Sequence, residues 1–74
     1  MYLKVKIKGK AAIYLELAIL SDKWISGYQI DKYGEPVTPK GKPYCAVKHV
    51  IDKAACEWWK EQEFDKFYGI AKDR

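Results

Sequence analysis

The chain has 74 residues, 49% hydrophobic and 15% aromatic, with 14 basic and 10 acidic side chains giving a net charge of +4. That supplies one core and no more, which argues against disorder and leaves no room for an elaborate active site beside its scaffold. Residues 1–53 hold ten lysines and five acids and residues 54–74 four basic and five acidic residues, so an anion-seeking surface belongs to the first two thirds.

The first element is "YLKVKIKGK", where Leu3, Val5 and Ile7 alternate with Lys4, Lys6 and Lys8. Period two predicts a strand over 2–8 with an aliphatic face and an ammonium face. A second strand is expected at 12–20 from the alternation of Ile13, Leu15, Leu17 and Ile19. Paired residues share a face, so only a loop of odd length, such as three residues, sets the aliphatic side chains of both strands together.

"SDK" reads as a turn and "WISGYQI" as a third strand over 23–31. Trp24, Tyr28 and Ile30 fall on one of its faces, and Gly27 signals a bulge, a bend or a close approach to the backbone. Whether Trp24 faces the core or the lysines is open at this stage. "DKYGEP" is a turn, and Glu35 to Pro43 reads as an exposed loop with Lys40 and Lys42 and at most a short edge strand near Val37 and Thr38. A last strand is expected over 44–51. Asp52 then stands as the cap of a helix "KAACEWWKEQ", with Ile51 stapled to Cys56 and an inward stripe of Ala55, Trp58 and Trp59. A longer helix from Ala46 also fits the apolar spacing. Beyond Gln62 the stripe changes phase, implying a bend or a separate turn ending at Gly69.

The expected fold is therefore mainly β with a C-terminal α-helix: a small SH3-like five-stranded antiparallel barrel. In it a hairpin packs on a bent three-stranded sheet, as one domain with a barrel over 2–51, a helix over 52–63 carrying Trp58, and an extension over 64–74.

Chemistry-bearing clusters are few. Cys45, His49, Asp52 and Cys56 would lie along one helical stripe, but it would span about 16 Å, too long to surround an ion. No phosphate loop, nucleophile elbow or paired carboxylates appear. No enzyme activity, metal, cofactor or small-molecule substrate is expected. The two cysteines make no disulfide framework, no secretory signal precedes them, and "AAIYLELAIL" is too short to span a bilayer. A cytoplasmic protein without a membrane partner is the expectation.

The lysines suit phosphate backbones or water, and with Arg74 the single arginine, base-specific reading is not expected. The expected nucleic-acid residues are Lys4, Lys6, Lys8, Lys23, Trp24, Tyr28, Lys40 and Lys42, with ammonium groups on phosphates and rings stacking. The alternative is a protein-binding module or inhibitor of the mobile-element type, acting on a host protein. It would use an exposed sheet edge or Trp59, Phe64, Phe67 and Tyr68 as anchors.

"LKVKIKGK", the strand opening on Trp24 with Gly27 and Ile30, and "DKAACEWWKEQ" together resemble the small SH3-like chromatin proteins of thermophilic archaea. The resemblance implies a hairpin on a curved three-stranded sheet, a C-terminal helix, and nonspecific binding in the minor groove of duplex DNA with Trp24 in contact. Ser26 and Gln29 stand where that family carries apolar wedges, and Asp31 adds an acid to that face.

Overall fold

A computed structural model describes residues 1–65 and 67–73, with side chains through residue 70. Its strands are β1 (Tyr2–Ile7), β2 (Ile13–Leu20), β3 (Trp24–Ile30), β4 (Lys48–Asp52), β5 (Cys56–Asp65) and β6 (Gly69–Asp73), with one 3-10 turn, Lys53–Ala55, between β4 and β5. The strands form a single antiparallel sheet in the order β4-β3-β2-β1-β5-β6. This corrects the expected five-stranded barrel: the sheet is open, its two edges β4 and β6 are not paired, and no α-helix occurs among the described residues.

The first hairpin obeys the parity argument. Leu3 pairs with Leu15 and Val5 with Ile13, and the intervening turn is closed by Lys10 N–H donating to Ile7 O at 3.0 Å. Leu3, Val5, Leu15, Ile25 and Ile51 form the buried core, flanked by Ile7, Ile13, Leu17 and Cys56. We call their side of the sheet the core face and the other the outer face.

The alternation of β2 does not run to its end. A register shift between Leu17 and Ile19 sets Leu17 opposite Gly27 but Ile19 opposite Ser26. The bulge turns Ile19 to the outer face, where it is 61% exposed. Gly27 is needed there because a Cβ would lie 2.5 Å from Glu16 O on the neighbouring strand.

The expected strand over 44–51 begins late, at Lys48, because the preceding loop wedges in. Val37 N–H takes Gln29 O, while Val47 N–H turns aside to Val37 O. Asp31 organises the turn before this wedge: its Oδ1 accepts from the N–H groups of Tyr33 (2.8 Å) and Glu35 (3.0 Å). It is a turn-former, spent on backbone amides.

The largest correction concerns residues 52–63. Asp52 does cap, accepting from Ala54 N–H at 2.9 Å, but the helix stops after three residues when Cys56 turns extended. Neither the 52–63 helix nor the longer one from Ala46 forms. Residues 56–62 pair along β1 from Ile7 to Tyr2, so that Lys6 faces Trp58 and Lys4 faces Lys60. Trp58 is therefore not the inward anchor of a helix, and Ala55, Trp58 and Trp59 share no stripe. The 64–74 extension is also recast, since β5 continues to Asp65 and β6 folds back on it. Ile70 N–H reaches Lys32 O at 2.6 Å, an approach that Gly69, at φ +85°, leaves open by having no side chain. Arg74 lies outside the described residues.

Gly27→Ala should overlap backbone rather than a yielding side chain, and so should cost about 2 kcal/mol or more. A thermal or urea melt of the variant measures it. Leu15→Ala, which empties a fully buried site, should cost about 3 kcal/mol by the same assay.

Candidate nucleic-acid interface

The registers place each side chain on a face without further assumption. Trp24 and Tyr28 alternate with buried Ile25 and pair with Asp52 and Lys48, so both point to the outer face, the one bearing Lys4 and Lys6. The question left open by the sequence is answered in favour of the lysines. Across the strands the outer face reads Lys48, Tyr28, Glu16, Tyr2 and Gln62 in one row. The next row reads Ile30, Tyr14, Lys4 and Lys60.

At the centre, Lys4 Nζ lies 5.5 Å from the Tyr14 ring and 6.0 Å from the Trp58 ring, and Lys60 Nζ lies 5.0 Å from Trp58. Cations over ring faces are held electrostatically by the ring quadrupole. Lys6 Nζ lies 3.1 Å from Glu57 Oε2. Glu16 is the other acid in the middle of this face.

The remaining expected residues disperse. Lys8 belongs to the first turn, where its Nζ donates to Ala54 O at 3.4 Å beside the 3-10 turn. Lys23 sits in the β2–β3 turn with its ammonium 5.6 Å from the Trp24 ring. Lys40 and Lys42 occupy an exposed loop closed by Lys42 N–H on Pro39 O. Gln29 lies on the core face, where His49 Nε2 meets its Oε1 at 2.8 Å, so it does not stand on the face of Trp24.

The C-terminal aromatics also separate. Trp59 pairs with Val5 on the core side of β5, at the open rim, under Lys53 at 5.0 Å. Phe64 packs on Tyr2, ring centroids 5.4 Å apart, and against Gly34. Phe67 and Tyr68 are 88% and 81% exposed in the β5–β6 turn.

Sequence reasoning missed Tyr2, Tyr14, Lys48, Trp58 and Lys60. The signal was present: Trp58, Lys60, Gln62 and Phe64 alternate with Trp59, Glu61 and Glu63 at period two. The capping signature at Asp52 outweighed it.

Among the described residues there is no cavity and no cluster of three or more His, Cys, Asp or Glu side chains. Burial, and then the Asp52 charge, push the Cys56 thiol up. No helix among the described residues is long and apolar enough to cross a membrane. No protein family, curated protein or solved structure matches the chain.

Burial, and then the positive charge of Lys10, hold His49 below its ordinary pKa. The unfolded chain thus takes up this proton first. Stability should be full above about pH 6.5 and fall as the pH drops toward the lowered folded value. Urea melts between about pH 7 and about pH 5 should show this acid-side loss in the native chain and a flatter profile in His49→Gln.

Proposed function

We propose that the protein is a non-enzymatic binding module that holds duplex DNA without sequence preference on the outer face of its sheet. The observation that carries this reading is the half-buried cross-strand pair Lys4–Lys60, with Lys4 near the rings of Tyr14 and Trp58 and Lys60 near the exposed Trp58. Lysines supply point charges for phosphates, and the rings offer flat apolar surface to sugars or bases. The tryptophans support it further. None is in the core, and Trp24, Tyr28 and Trp58 are 42%, 43% and 38% exposed on the face that carries Lys4, Lys6 and Lys48. Burying aromatics is the usual way for a small core to gain apolar area, so their placement outside calls for a partner. Glu16 and Glu57 temper the charge of the face, consistent with modest affinity rather than a polycation's grip.

A second reading, a protein partner at the C-terminal aromatics, is favoured by the exposure of Phe67 and Tyr68. Trp59 and Phe64 do not join them on one surface.

Contacts with roughly four phosphates should weaken binding to a random duplex by about a hundredfold between about 50 and about 200 mM salt. The titration is followed by tryptophan fluorescence. The double variant Lys4→Gln, Lys60→Gln should lower the magnitude of the logarithmic salt slope by about 2. Trp58→Ala should weaken binding while leaving that slope unchanged, because the indole neutralises no phosphate. Phe67→Ala with Tyr68→Ala should leave DNA affinity as it is. Salt-insensitive binding, or none at low salt, would retire the proposal.

A further inference from the structure

We propose that the protein associates with a second copy of itself through the free edge of β4, strand against antiparallel strand, with Val50 on the twofold axis. β4 ends the sheet, with no strand on its other side among the described residues. Its backbone bonds to β3 are fixed in phase by Lys53 N–H on Lys23 O and Gln29 N–H on Val47 O, both 2.8 Å. Antiparallel ladders alternate bonded and non-bonded pairs. His49 and Ile51 therefore spend their backbone groups on β3, while Lys48, Val50 and Asp52 turn theirs outward.

An open edge is a template for another strand, and the side chains of β4 specify which one. With Val50 opposite Val50 of the second copy, Lys48 faces Asp52 of the second copy, and Asp52 faces its Lys48. The segment "KHVID" is thus complementary to itself in charge when run antiparallel. A twofold at His49 or Ile51 would instead require backbone groups already used by β3. Asp52 O accepts the Cys56 thiol at 3.8 Å. The bonds available across the axis are hence the reciprocal pair at Val50 and the two from Asp52 N–H to Lys48 O. Asp52 keeps one carboxylate oxygen on Ala54 N–H and presents the other to the incoming lysine. Val50, 63% exposed on the outer face, gains a cover, as two like strands side by side give it one. The interface is small, so the dimer is weak.

Sedimentation velocity without nucleic acid, from micromolar to millimolar chain, tests this independently of DNA binding. A monomer–dimer equilibrium is expected. Val50→Pro should abolish it with the circular dichroism unchanged, because the lost N–H faces away from β3 and edge strands tolerate proline there. Lys48→Glu sets like charges across the axis and should raise the dissociation constant about tenfold or more. It leaves every backbone bond in place, so it remains decisive if the proline variant does not fold. A monomer at every concentration, or a dimer that Lys48→Glu leaves unmoved, would overturn the inference.

Discussion

The hydrogen bonding of β1 along both of its edges is the constraint on which the rest of the structure depends. β2 takes one edge and β5 the other. Pairing on both sides fixes Leu3 and Val5 toward the core and Lys4 and Lys6 away from it, and each neighbouring strand inherits its facing from that register. β5 is what makes the outer face more than a charged strand, since it sets Trp58 beside Lys6 and Lys60 beside Lys4.

The same constraint explains why the C-terminal helix does not form. The Asp52 cap is worth about 1 kcal/mol, and helix preferences among ordinary residues differ by tenths. A helix over 52–63 would leave the second edge of β1 without a ladder, at about 1–3 kcal/mol for each buried backbone group left unsatisfied. Several such groups outweigh one cap. The tryptophans and phenylalanine of β5 also suit a pleated surface better than a helix interior. The cap survives as a three-residue turn, and Ile51 and Cys56 both still reach the core.

Sequence order alone was enough for the first three strands, the odd first loop and the lysine face, because these follow from period two and parity in neighbouring segments. The placement of Trp58 and Lys60 was not legible, because it depends on pairing between β1 and residues more than fifty positions away. The outward facing of Ile19 was not legible for a different reason. The bulge that turns it outward answers to Gly27 on the adjacent strand, and alternation within β2 carries no trace of it. Trp24 could be oriented only once the buried pair Ile25–Ile51 fixed the phase of β3. Four residues of the proposed face, Lys4, Lys6, Trp24 and Tyr28, were accessible to sequence reasoning. The cluster that Lys4 forms with Tyr14, Trp58 and Lys60 required the sheet.

The most direct test is a proton–nitrogen correlation spectrum of the chain titrated with a short random duplex at low salt, following the three tryptophan indole N–H signals. The outer-face account predicts that the signals of Trp24 and Trp58 shift, together with the amides of Lys4, Tyr28 and Lys60. Trp59, on the core side of β5, should stay in place. Movement of Trp59 and of the Phe67–Tyr68 turn with Trp24 and Trp58 unmoved would contradict the account, placing the binding surface on the other side of the sheet.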